Sequence, residues 1–230
     1  NGGLLSFDDL KGYATTHQSP LEFDYRGRRL TTNHPPGGGV MLAEMMAVLE
    51  EFDLAGLGHN SVEYIRVVCE AMKVATADKD AHVGDPAFYD VPLEQLLSKG
   101  KAREAAARIA AGDKHHVNRI GMGESPHTTH VAVIDGDGNA VTMTHSLGMP
   151  SGVITDGLGF MYNGCMAVFD PRPGRAGSIA PGKSRFSSLC PTMVFENEVL
   201  KMALGAPGGT QIAMGVLQAL INVIDHGMTM

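Results

Sequence analysis

Four groups of residues in this 230-residue chain have types and spacing that could do chemistry. Asp135-Gly136-Asp137-Gly138-Asn139 opens like a calcium loop, with side-chain oxygens at alternate positions. It fails further on: Ala140 takes the place of the obligatory glycine, and Ser146 stands where a bidentate glutamate belongs. The stretch reads as a plain turn. Pro36-Gly37-Gly38-Gly39, ahead of a helical pattern, could offer backbone N–H groups to an anion. It lacks the Lys-Ser/Thr ending of a nucleotide loop and reads as a breaker and helix entry. His115, His116, His127, His130 and His145 match no ligand spacing, so no metal and no other cofactor is expected. The fourth group is composite. Pro126-His127-Thr128-Thr129-His130 brings hydroxyls to the start of a strand. Arg185-Phe186-Ser187-Ser188-Leu189-Cys190-Pro191 is a polar turn, and Gly205-Ala206-Pro207-Gly208-Gly209 a turn with little side chain ahead of a helix. A hydroxyl nucleophile needs a nearby base, and the oxyanion it creates needs preorganised N–H donors. Each piece alone reads as structural.

The elements that must position these residues change character along the chain. Leu21–Tyr25 and Arg29–Thr32 read as short extended runs after the opening turn Asn1-Gly2-Gly3. Val40–Phe52 reads as a helix with Leu42, Met45, Met46 and Leu49 at helical spacing. A second helix is expected from Asn60, capped by Asn60 with Glu63, with Tyr64, Val67, Val68 and Met72 as its buried stripe. Leu93–Ile109 is a third helical stretch, interrupted near Lys99-Gly100. Residues 111–127 have no periodicity and read as an exposed, mobile linker. Strands then follow at Thr129–Ile134 and Ala140–Ser146 around the Asp135–Asn139 turn, at Gly159–Tyr162, and at Thr192–Glu196 and Val199–Leu204 around Asn197. Thr210–Ile224 closes as a helix. Helices, then strands, then a helix describe a mixed α/β layered architecture.

Composition narrows the function classes. A net charge of −7 with no basic stripe makes nucleic acid a poor partner. No apolar run reaches the roughly 20 residues of a membrane span. Cys69, Cys165 and Cys190 are an odd number without CxxC spacing, so neither a disulfide framework nor zinc is implied. Tryptophan is absent and methionine numbers 14, so the core must be aliphatic and methionine-rich. The opening at Asn1 and the close at Met230 read as those of a segment of something longer, and the lack of a signal peptide then leaves the compartment open.

In order, Thr128-Thr129-His130, the Asp-Gly turn, Ser187-Ser188 with Pro191-Thr192, and Gly205-Ala206-Pro207-Gly208-Gly209 resemble the gamma-glutamyltranspeptidase family of N-terminal-nucleophile hydrolases. Gly2-Gly3-Leu4, Asp9-Leu10, Tyr25-Arg26-Gly27, Pro35-Pro36 and Gly84-Asp85-Pro86 look like the end of that family's large subunit. The resemblance implies that residues 1–127 are the C-terminal part of a large-subunit-like region and 128–230 the N-terminal part of a small-subunit-like catalytic region. It implies a four-layer αββα sandwich, incomplete in this segment, with exposed strand edges that the absent portions would pair. It also implies two subunits paired after cleavage, and it is compatible with a periplasmic or extracellular setting.

The same resemblance assigns roles. Cleavage between His127 and Thr128 would free the Thr128 α-amine, whose pKa of about 8 suits it to take the hydroxyl proton. Gly208 and Gly209 would donate N–H groups to the oxyanion, Ser146 would support the nucleophile, and Ser187 and Ser188 would hold a substrate carboxylate. The substrate would be a small-molecule amide, with water or an amine as acceptor. Three positions depart from the pattern: Gly148, Cys165 and Val168 stand where the family binds the glutamyl α-amino group. An ammonium facing Val168 instead of a carboxylate loses a charge-assisted bond worth roughly 1.5–3 kcal/mol. The stretch from Met166 to Ser187 also looks shorter than in lidded members, and the carboxylate-binding arginine of the pattern falls upstream of Asn1. Three readings follow: a γ-glutamyl transferase or hydrolase acting on an amide such as glutathione, a cephalosporin-acylase-like amidohydrolase for acyl groups without an α-amine, and a non-catalytic scaffold.

Overall fold

The computed structural model describes residues 4–117 and 127–229. Most of the expected linker, including Ser125 and Pro126, and the opening Asn1-Gly2-Gly3 turn therefore lie outside the described residues. In chain order the elements are α1 (Phe7–Gly12), β1 (Leu21–Tyr25), β2 (Arg28–Thr32), α2 (Gly39–Leu49), α3 (Leu54–Leu57), α4 (Val62–His82), α5 (Leu93–Leu96) and α6 (Lys99–Ala110). Further along come β3 (Thr128–Ile134), β4 (Ala140–Ser146), β5 (Pro150–Ile154), β6 (Met161–Asn163), β7 (Thr192–Glu196), β8 (Val199–Leu204) and α7 (Ile212–Ile224).

The central sheet has the order β1-β2-β7-β8, antiparallel throughout, so strands from both sides of His127 share one sheet. Leu30 lies opposite Val194 at the seam. Helix α2 is the hub. Every residue in it except Ala47 is buried, which is the pattern of a helix surrounded on all sides. It packs against α4, α6 and α7, and its Leu42, Met45, Met46 and Leu49 share a core with Leu30, Val194, Leu217 and Leu220. The aliphatic and methionine-rich core expected from composition is what forms.

Several boundaries moved for local reasons. Asn60 does not cap α4: it takes a left-handed φ of 58°, and Ser61 is the N-cap, its hydroxyl accepting from the Tyr64 N–H at 3.1 Å. The third helical stretch breaks at Leu97-Ser98 rather than Lys99-Gly100, because Ser98 caps α6 by accepting from the Lys101 N–H. Helix α1 was not expected; a Ser6/Asp9 capping box starts it. A 3₁₀ turn over Gly209–Gln211 delays α7 to Ile212. Strand β5 was also missed, for Pro150-Ser151-Gly152 carries little strand propensity, and the strand expected at Gly159–Tyr162 is β6, shifted toward the C-terminus.

Strands β3 and β4 form a two-stranded hairpin in unbroken register from Thr128↔Ser146 to Ile134↔Ala140. It leans on the end of β8, where the Thr142 hydroxyl donates to the Leu204 carbonyl at 3.3 Å. The Asp135–Asn139 segment is a turn, with Asp135 Oδ1 accepting from the N–H groups of Asp137 and Asn139. Among the described residues no helix is long and apolar enough to cross a membrane, and no group of three His, Cys, Asp or Glu could hold a metal ion.

Candidate active site

The first residue of β3 and the last of β4 meet across the hairpin, which sets Thr128 Oγ1 2.9 Å from Ser146 Oγ. Gly148 donates its N–H to that same Ser146 oxygen at 2.9 Å, so the Ser146 proton is free to be given to Thr128. A hydroxyl that accepts from the backbone and donates to its neighbour stabilises a developing alkoxide there. Thr128 is 9% exposed, whereas His127 before it is exposed and lies outside the strand. The hydroxyl thus sits in a sheltered corner, while the bond preceding it is accessible.

A small cleft of about 70 Å³ brings together Thr128, Ser146, Gly148, Val168, Ser187, Ser188 and Gly209. Gly208 and Cys165 do not line it. The glycine turn is built for close approach: Gly208 has φ 137° and Gly209 φ 57°, both in the half of conformational space that favours glycine. Their carbonyls are engaged, Gly208 accepting from the Gln211 N–H and Gly209 from the Ser188 hydroxyl. Ser188 has thereby committed its one proton to the turn. Ser187 Oγ accepts from the Leu189 N–H at 3.4 Å, which leaves its proton for a ligand.

The Ser187-Ser188 segment is held from the other side of the sequence. Ser187 donates its N–H to the Pro36 carbonyl at 2.8 Å. Gly38 N–H and Asn33 Nδ2 both donate to the Leu189 carbonyl, at 2.9 and 2.8 Å. The proline-glycine breaker is therefore a buttress for the cleft as well as the entry to α2.

The three departing positions cluster. Gly148 has φ +64°, and a Cβ there would lie 2.5 Å from Cys165 Sγ, so only glycine fits. Cys165 stands just behind the cleft wall with its thiol donating to the Leu147 carbonyl at 3.2 Å. Sequence reasoning missed Arg185, Phe186 and Met149, which also line the cleft. Arg185 and Phe186 flank the two serines directly, and that adjacency was the available signal.

The histidines do other work. His130 bonds Thr144 Oγ1 through Nδ1 and Thr142 Oγ1 through Nε2, at 2.9 and 3.2 Å. Burial lowers its pKa, which keeps the ring neutral beside Gly205. His115 accompanies Glu70, which accepts from the His115 backbone N–H at 2.8 Å and ties the start of the linker to α4. Burial also pushes the Cys190 thiol up to about 12 and so removes it as a nucleophile. A larger open depression of about 530 Å³ lies between Arg26, Glu50 and Asp225, but no hydroxyl or thiol nucleophile lines it.

A family described as Gamma-glutamyltranspeptidase matches residues 1–230. The chain is 41% identical over its whole length to the Acylase ACY 1 proenzyme of Pseudomonas sp. (strain V22), of which it covers 42%. It is 33% identical over 99% of its length to the Glutathione hydrolase proenzyme of Escherichia coli (strain K12), again covering 42%. It therefore spans less than half the length of these relatives. Among solved structures, cephalosporin acylase from Bacillus halodurans superposes with a TM-score of 0.84 at 29% identity, covering 99% of this chain and 41% of that one. With the match running over every residue, this chain belongs to the gamma-glutamyltranspeptidase family.

Proposed function

We propose that this chain carries the cleavage junction and the nucleophile of a self-processing amide hydrolase or acyltransferase. The observation that carries the reading is the 2.9 Å pair Thr128 Oγ1···Ser146 Oγ in a cleft shared with Gly209. In processing, Thr128 Oγ1 attacks the His127 carbonyl carbon, and the acyl group shifts from nitrogen to oxygen. Water then hydrolyses the ester, leaving a carboxylate on His127 and a free amine on Thr128. In turnover that amine, with an intrinsic pKa near 8, takes the hydroxyl proton as Oγ1 attacks the substrate amide. The Gly208 and Gly209 N–H groups would hold the oxyanion, each donor worth about 3 kcal/mol. The amine delivers the proton to the leaving nitrogen, and water or an acceptor amine resolves the acyl-enzyme. The names of both relatives as proenzymes support the processing step.

For the acyl group, the favoured reading is an acylase acting on donors without an α-ammonium. Val168 offers no charge to one, and Gly148 offers no side chain. A γ-glutamyl donor such as glutathione is the second reading, motivated by the glutathione hydrolase relative. In either case residues 1–127 and 128–230 would belong to two subunits that stay paired through the β2–β7 seam, and the complete protein would form the four-layer αββα sandwich.

The test is mass spectrometry and anilide hydrolysis on the full-length protein. Wild type is expected as two pieces divided before Thr128, and Thr128→Ala as one uncut, inactive chain. An uncut wild type without amidase activity overturns the proposal and leaves a scaffold.

A further inference from the structure

The loop that follows α4 reaches across the molecule to the segment that feeds the cleft. Asp85 is 8% exposed, and among the described residues it has no ion-pair partner. One carboxylate oxygen, Oδ1, accepts from the Ala87 N–H at 3.0 Å within its own loop. The other, Oδ2, accepts at 2.7 Å from the N–H of Ser184, 99 residues along the chain. A buried carboxylate without a counter-charge is unfavourable unless donors satisfy it, and bonds to an ionised acceptor are roughly twice as strong as neutral ones. Two further contacts join the same pieces. A Cβ on Gly84 would lie 2.3 Å from the Ala176 carbonyl oxygen, so the two backbones meet where only glycine allows it. Lys183 Nζ donates to that Ala176 carbonyl at 2.8 Å and stands 6.0 Å from the centre of the Phe88 ring.

Beyond Ser184 the chain enters the cleft at once. Arg185, Phe186, Ser187, Ser188 and Leu189 all line it, while no residue from 84 to 88 does. The far end of that run is fixed by the Pro36 carbonyl, the Gly38 N–H and the Asn33 side chain. The cleft wall is thus held between two anchors, Asp85 at Ser184 and the buttress at Ser187 and Leu189, and both anchors come from residues 1–127.

We propose that Asp85 is a positioning residue for the reaction assigned above, its carboxylate setting where the 185–189 wall stands relative to Thr128. This rests on the assignment of Thr128 as nucleophile and adds a group that lies outside the cleft lining. Asp85 and Ser184 would fall on different pieces after cleavage before Thr128, so their bond carries the site geometry across the cut. Only a carboxylate serves both N–H groups: an amide of the same shape has one acceptor oxygen and turns an NH₂ group toward the other donor. A wall displaced by about 1 Å is enough to lower turnover roughly a hundredfold.

The test is Asp85→Asn in the mature full-length enzyme, assayed with glutaryl- and γ-glutamyl-p-nitroanilide. For whichever anilide the wild type hydrolyses, kcat/KM should fall about 10- to 100-fold, chiefly through KM, with cleavage before Thr128 still complete by mass spectrometry. Amide hydrogen exchange should quicken in peptides covering residues 183–189 and stay unchanged in α2. Val74→Ala, buried on α4 and absent from the cleft lining, is the control for a general loss of stability. It should lower the melting temperature and leave kcat/KM at the wild-type level. Where Asp85→Asn does not fold, Lys183→Met loosens the same contact from the other side and should lower kcat/KM about threefold. A cut and active wild type whose Asp85→Asn keeps its kcat/KM overturns the proposal, as does a Val74→Ala that loses as much activity at the same melting shift. An unaltered Lys183→Met does so where Asp85→Asn fails to fold. A wild type that is uncut and hydrolyses neither anilide brings down the nucleophile assignment, and this one with it.

Discussion

The helical hub and the hairpin that carries the proposed nucleophile are built on opposite terms. In α2 the apolar residues Leu42, Met45, Met46 and Leu49 are fully buried among α4, α6, α7 and the sheet. In β3 and β4, Val133, Ile134 and Val141 are 57%, 56% and 61% exposed, and only Thr128 is buried in β3. One region draws its order from area removed from water. The other takes its position from a few directed contacts: the Thr128–Ser146 and Gly148–Ser146 bonds, the Thr142–Leu204 bond, and the His130 ring on Gly205. Stability and site geometry are therefore held by separable sets of residues. Substitutions in the first set should unfold the chain without retuning the site, and substitutions in the second should do the reverse.

The largest separation is expected for Leu42→Ala, which leaves a cavity in the hub and should cost about 2–5 kcal/mol in denaturant unfolding. Val133→Ser on the hairpin should stay within about 0.5 kcal/mol in the 230-residue chain. In the full-length protein, where the proposed sandwich covers that face, the same change should cost about 1–3 kcal/mol. Equal costs in the two forms would mean that the face is never covered. Next comes Gly205→Ala, whose new methyl would lie 2.3 Å from the His130 ring. It should lower stability by about 1–3 kcal/mol and, because it pushes the hairpin away from β8, reduce processing before Thr128 more than Leu42→Ala does. Ser146→Ala removes the hydroxyl partner of Thr128 and strands the Gly148 N–H. Turnover should fall about tenfold to a hundredfold with a melting shift of only a few degrees.

How much of this was written in the sequence differs between the same two regions. The hub was legible because Leu42, Met45, Met46 and Leu49 repeat at helical spacing, and the β3–β4 hairpin because alternating residues flank an Asp-Gly turn. The cap of α4 was misread because Asn60 and Ser61 are both good N-cap types, and backbone geometry, not composition, chose Ser61. Thr128, Ser146, Ser187, Ser188 and Gly209 were named in advance, and they converge because β3, β4 and the turn ahead of α7 end at one corner. Arg185 was passed over, since which side chains come to line a cleft across the fold has no local signature. The Pro36–Gly39 buttress was hidden for the same reason, its partners Ser187 and Leu189 lying about 150 residues away.

The smallest effect expected is a pH dependence located in the hub rather than at the site. Lys101 from α6 bonds both Glu44 of α2 and Asp78 of α4, tying three helices together. Burial, reinforced by the neighbouring Asp78 carboxyl, raises the pKa of Glu44 from 4.5 to about 8. A carboxyl that holds its proton more tightly when folded contributes stability that is fully present below the unfolded value, and that contribution disappears as pH rises through about 8. Lys101, itself raised by the two acids, stays protonated folded and unfolded across this range and adds no slope of its own. Stability should therefore decline between pH 5 and 8, and Glu44→Gln, which keeps the shape of the protonated acid, should flatten the decline. Melting curves across that window decide it. If Glu44→Gln leaves the slope as it was, the titration belongs to another group, and the trio is an ion cluster at every pH.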